Sequence, residues 1–196
     1  MKTRLSDKFV RFAPVALVVG VSLAGNSAQA AFHLWSIREI YTDSSGSLQF
    51  VELFTSASSQ QFVGGQQMNV VNVGGTTTHN FTVPSNLPGD TTGHAFLIGT
   101  AGIHAAGAPT PDYIMPNGFL FAAGGTINFW GANGGAYSAM PTDGVLSRTW
   151  GDGNAANSPQ NFAGQVGVVV PEPATLSLLL IGGIGLGFLL RRPRGR

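Results

Sequence analysis

Residues 33–54 read HLWSIREIYTDSSGSLQFVELF, and the fold class turns on this stretch. Apolar residues recur at short intervals on both sides of Asp43-Ser44-Ser45-Gly46, and neither arm sustains a helical period. The central four residues are turn formers, because Asp and Ser side chains bond nearby backbone and Gly accepts a positive φ. The arms therefore predict an antiparallel hairpin. Alternation puts Trp35, Ile37 and Tyr41 on one face of the first strand and Leu48, Phe50 and Phe54 on one face of the second, as core residues.

The same texture extends outward. From residue 31 to 170, short apolar runs alternate with clusters of Gly, Asn, Ser, Thr and Pro. Candidate strands are 33–41, 47–54, 67–73, 80–83, 94–99, 118–121, 126–130 and 145–150, and many short strands with regular turn signals predict an all-β sandwich. The Gly-rich residues 100–108 and the segment 150–163 read as surface loops that bury little apolar area. IREIY, FVEL, the stretch FTVPSNLPGDTTGHAFLIG and the closing Asn157-Ser158-Pro159 resemble a lamin-tail domain. That resemblance implies an immunoglobulin-like antiparallel sandwich acting as an interaction module, and it brings no catalytic residues.

Charge divides the chain unevenly. Lys2, Arg4, Lys8 and Arg11 stand near one end and Arg191, Arg192, Arg194 and Arg196 near the other, with only Arg38 and Arg148 between them. The middle also carries Glu39, Asp43, Glu52, Asp90, Asp112, Asp143 and Asp152. A mildly acidic domain has no basic patch for a phosphate backbone, which argues against nucleic acid as a partner. The chain has no cysteine, so disulfides, thiolate metal sites and cysteine nucleophiles are excluded.

Other chemistry finds little footing. His33, His79, His94 and His104 form neither an HExxH motif nor an i, i+4 pair, and His79, Asp90 and His94 read as turn and strand-end residues rather than metal ligands. Gly151-Asp152-Gly153-Asn154 lacks the further oxygen ligands of a calcium loop and reads as a solvated turn. Glu39 and Glu52 could flank a sugar bond as glycosidase carboxylates do, but the simpler reading is edge charges or partners of Arg38. No GxSxG elbow is present. The expectation is a non-enzymatic protein without catalytic residues, cofactor or metal.

Both ends read as targeting segments. Residues 1–11 are basic and 12–23 apolar, and Ala28-Gln29-Ala30 supplies the small residues of a signal-peptidase site, with cleavage between Ala30 and Ala31. The apolar run is about 12 residues, short of the roughly 17 to 25 that span a bilayer. Residues 174–190, ATLSLLLIGGIGLGFLL, contain no charge and are just long enough to cross as a helix, with Arg191, Arg192, Arg194 and Arg196 behind them as a stop-transfer signal. Ahead stand Pro171, Glu172 and Pro173. Each proline favours extended geometry in the residue before it, the backbone shape a protease binds.

This order of Pro-Glu-Pro, glycine-containing apolar segment and Arg cluster resembles the PEP-CTERM sorting signal. The resemblance implies recognition by exosortase, a membrane-embedded, cysteine transpeptidase-like enzyme of Gram-negative bacteria that make exopolysaccharide. The expected organisation is a signal peptide at 1–30, an exported sandwich at 31–165, a linker with the Pro-Glu-Pro motif at 166–173, a transmembrane helix at 174–190 and a cytoplasmic tail at 191–196. The expected partners are signal peptidase, exosortase, membrane lipid and exopolysaccharide. The precursor would sit in the inner membrane with its domain in the periplasm, and its product at the cell surface or in the matrix. A carbohydrate-binding or carbohydrate-active protein on the same export route is the rival, since an address does not specify the cargo's chemistry.

Overall fold

A computed structural model describes residues 32–129, 134–151 and 153–171. Ten strands lie among them: β1 (Ser36–Thr42), β2 (Gln49–Thr55), β3 (Gln67–Asn72), β4 (Thr78–Thr82), β5 (His94–Gly99), β6 (Tyr113–Ile114), β7 (Gly125–Phe129), β8 (Gly135–Tyr137), β9 (Leu146–Thr149) and β10 (Gly153–Ala156). They form a six-stranded sheet in the order β10-β9-β1-β2-β5-β6 and a four-stranded sheet in the order β4-β3-β7-β8. The protein is all-β over this region, and no described residue belongs to a helix. The expected signal peptide and the apolar run 174–190 lie outside the described residues.

The leading hairpin forms as its turn chemistry dictates. The Asp43 carboxylate accepts hydrogen bonds from the Ser45 and Ser47 hydroxyls at 2.6 and 3.1 Å and from the Leu48 amide at 3.1 Å, while Gly46 takes φ +72°. These bonds hold the Asp43 carboxyl below its ordinary range against the opposing pull of its partial burial.

The side-chain alternation departs from expectation at one residue. The β1–β2 register runs from Ile37↔Leu53 directly to Glu39↔Glu52, which leaves Arg38 as an extra residue in a bulge. A bulge resets the alternation of the strand that carries it. Ile37 and Ile40 therefore both face the four-stranded sheet, whereas Tyr41 turns away from Trp35 and Ile37 to join Phe50 on the opposite face. Tyr41 and Phe50 stack there at 5.3 Å with their rings 11° from parallel. Trp35 stays on the inner side, edge-on to Phe96 at 4.7 Å, and its indole N–H donates to the Gln60 carbonyl at 2.8 Å.

The main core fills the space between the sheets. Ile37, Val51, Leu53, Phe96 and Ile98 of the large sheet meet Met68, Val70, Phe81, Ile127 and Phe129 of the small one. Each such fully buried side chain contributes about 1.5–3 kcal/mol by leaving water.

Several expected boundaries are corrected. Residues 118–121 form no strand, and β5, antiparallel to β2 on one side, pairs parallel with the two-residue β6 on the other, so the sandwich is not purely antiparallel. Strands β8 (Gly-Ala-Tyr) and β10 (Gly-Asn-Ala-Ala) are too short to show an apolar alternation, although Tyr137 of β8 reaches the core, and pairing with β7 and β9 defines them. The segment 150–163 is not a surface loop, since it contains β10 and then the buried Asn157, Asn161 and Phe162. Residues 100–108 do form turns, yet Thr100, Ile103 and Ala108 are buried in them.

Candidate functional site

The outer face of the six-stranded sheet is covered by the chain segment that leads into Pro171. Residues 157–162 cross it in one direction, passing β9, β1, β2 and β5 in turn, and residues 166–170 return. The two arms meet in the bridge Gln160↔Val166, with a turn at Gly164 (φ +79°).

At each strand the outgoing arm is fastened by a polar side chain. Asn157 is buried and makes four bonds: its amide and its Nδ2 donate to the Val145 carbonyl at 3.0 and 2.9 Å, Nδ2 also donates to the Val169 carbonyl at 3.0 Å, and Oδ1 accepts from the Val169 amide at 2.6 Å. Glu39 on β1 accepts from the Ser158 amide at 2.9 Å and the Ser158 hydroxyl at 3.3 Å. Glu52 on β2 accepts from the Gln160 amide at 2.9 Å, and Arg38 donates to the Gln160 side chain at 3.0 Å. Beyond β5, one oxygen of Asp112 accepts from both the Leu97 amide at 2.8 Å and the Phe162 amide at 2.9 Å. The Phe162 carbonyl meets His94 Nδ1 at 3.0 Å.

Glu39 and Glu52 are therefore neither edge charges nor open to substrate. They stand opposite one another on two interior strands, 3% and 0% exposed, and their oxygens face the chain's own donors and Arg38, which forms an ion pair with Glu52. A general acid or base must reach its substrate's proton, and this pair is closed off by the arm it holds. Burial raises the Glu52 carboxyl to about 7, outweighing the pull of the half-exposed Arg38 and of the Gln160 amide. Asp112 is also raised, by burial first, against the two amides that favour its charged form. Tyr41 is pushed up to about 12 by burial, with Asp43 and Asp143 adding to the effect.

The return arm is fixed as well. Gly167 donates to the Pro159 carbonyl at 3.1 Å and Val170 to the Ala106 carbonyl at 2.8 Å. Val169 is wholly buried with Tyr41, Phe50, Leu97, Ile103 and Ala108 in a second apolar cluster. Pro171 rests against Gly144, whose φ of +80° and whose missing Cβ, which would lie 2.7 Å from the proline ring, both suit glycine. The described part of the expected linker is thus held to the body by hydrogen bonds as far as Val170 and by packing at Pro171.

Of the residues singled out for sorting, Pro171 lies on the body. Glu172, Pro173, Arg191, Arg192, Arg194 and Arg196 lie outside the described residues, as do Ala28, Ala30 and Ala31 at the expected cleavage site. The histidines do not converge: His79 Nδ1 meets the Phe119 carbonyl, His94 that of Phe162 and His104 that of Ala108. No group of three metal-binding side chains gathers among the described residues. The fastening role of Asn157 and Asp112 was not read from the sequence. The bulge left one trace, Ile37 and Ile40 three apart in β1, a spacing that plain alternation would place on opposite faces.

The PEP-CTERM protein-sorting motif matches residues 169–194. No curated protein and no solved structure matches the chain. The lamin-tail resemblance of the central region gains no support from these comparisons. The sorting motif is present and points to an exported protein, processed by exosortase from a membrane-anchored precursor. Its first residue is Val169, the one that Asn157 grips through both backbone groups.

Proposed function

We propose that the chain is a non-enzymatic surface or matrix protein whose immunoglobulin-like sandwich is exported, held by its apolar segment and released by exosortase near Pro171-Glu172-Pro173. In this reading residues 1–30 are a signal peptide removed after Ala30, residues 174–190 cross the inner membrane, and the Arg tail stays in the cytoplasm. The observation that carries it is the sorting motif beginning in the last residues of a closed β body. The external partner is exopolysaccharide or another envelope component.

Replacing Glu172 by Ala should leave full-length precursor in the membrane of cells that contain exosortase, read as intact mass. Unchanged maturation would overturn the sorting role.

One feature favours carbohydrate binding as a second reading. A hollow of about 380 Å³ between β8 and β9 is lined by Tyr137, Ser138, Arg148, Thr149 and Trp150. Its volume falls in the range of small-ligand sites, and an aromatic ring beside a guanidinium suits a sugar carrying a carboxylate. Glycan-array binding that is lost in Trp150→Ala would favour this reading over a purely structural role.

A further inference from the structure

The return arm has a peculiar outward face. Val166, Val168 and Val170 point away from the body at 63%, 52% and 60% exposure, while Val169 points in. Val145 is 60% exposed, and its backbone runs beside the arm, since its carbonyl accepts from the Asn157 side chain that also grips Val169. A water-facing strand side is ordinarily polar, yet every outward position of this arm is valine. Asp143, beside Val145, turns its carboxylate onto the Val145 and Leu146 amides at 2.9 and 2.8 Å.

We propose that Val145, Val166, Val168 and Val170 form a lipid-contacting face that rests in the headgroup region of the bilayer while the precursor is anchored. This rests on the reading of residues 174–190 as membrane-spanning. The occupant follows from where the chain goes next. From Val170 to Ala174 the backbone reaches at most about 14 Å even when fully extended, so the arm ends at the membrane surface. Its orientation is set too, because Val169 is locked by Asn157, Val170 by Ala106 and Pro171 by Gly144. A body whose arm is fixed as far as Pro171, three positions before Ala174, presents the face nearest its tether. The contact is apolar, so neither anionic lipid nor low salt is needed for it.

The chain contains no cysteine, so single labels are unambiguous. Full-length precursor carrying Val168→Cys or, as control, Val73→Cys, is labelled with the fluorophore NBD in phosphatidylcholine vesicles, with and without bromine-labelled lipid. Val73 is 78% exposed beyond β3, on the other sheet. The expected result is blue-shifted emission at 168 with loss of intensity to brominated lipid, and neither at 73. Water-like emission at both positions, in precursor that resists alkaline extraction, would overturn the lipid face while leaving the anchor intact. A blue shift at 168 without bromine quenching means contact with a second protein copy and overturns it equally. Release of the precursor by alkali overturns the anchor itself.

Discussion

The central strands β1, β2 and β5 of the six-stranded sheet are buried on both faces, by opposite means. The sheet's inner face meets the second sheet through Ile37, Ile40, Val51, Leu53, Phe96 and Ile98, where packing is apolar and non-directional. Its outer face sets Glu39 and Glu52 under the segment 157–171, pinned by hydrogen bonds at successive strands, and a small aromatic cluster under Val169 together with Ile103 and Ala108 of the neighbouring turn. The inner face depends on filled volume and is indifferent to protons. The outer face depends on particular donors and acceptors, so it gives a defined path to residues 157–171 at the cost of sensitivity to pH. The polar covering is the one that leads into the sorting motif.

The strongest way to break this contrast is Phe96→Ala, which opens a cavity between the sheets and should cost about 3–5 kcal/mol. Denaturant unfolding of the mature chain should show that loss equally at pH 5 and pH 8. A pH-dependent loss would mean that the two faces are not separable.

The next test concerns protons. Glu52 titrates near 4.5 when unfolded and about 7 when folded, so the folded state holds the proton more tightly. Its contribution is fully present below pH 4.5 and is lost as pH rises through 7, a fall of up to about 3 kcal/mol. Asp112, also raised, acts in the same direction. Glu52→Gln, which keeps an acceptor for the Gln160 amide without the charge, should flatten the stability profile between pH 4.5 and 7. An unaltered slope in that variant would remove Glu52 from the account.

The smallest expected effect is the most local. Asn157→Ala leaves the Val169 amide and carbonyl without their partner and should cost about 2 kcal/mol. Amide hydrogen exchange should quicken at residues 166–170 while β1, β2 and β5 stay protected, as expected of a subunit of structure that opens by itself. Uniform loss of protection would show that the arm and the sandwich unfold as one.

The hairpin was legible because its information is local: an Asx turn, a glycine at positive φ and apolar arms. Core membership of Trp35, Ile37 and Phe50 followed from the same pattern. What escaped was conditional on distant partners. The bulge at Arg38 depends on pairing with β2, and it alone turns Tyr41 and Glu39 outward. The Asn157 and Asp112 side chains are ordinary turn residues until an arm is laid across the sheet. Strands β8 (Gly-Ala-Tyr) and β10 (Gly-Asn-Ala-Ala) are too short to show an alternation of their own and exist because neighbouring strands offer hydrogen bonds.

By itself the sequence determined the all-β class, the first hairpin and the sorting signal, because each is written in contiguous residues whose chemistry acts over a few positions. Tertiary structure alone decided that Glu39 and Glu52 would fasten a segment rather than face a substrate, and that Pro171 would rest on Gly144. The first outcome requires groups more than a hundred residues apart in the chain, such as Glu39 and Ser158, to meet within hydrogen-bond distance, and the second requires two turns to pack together; only the folded sheet brings them there.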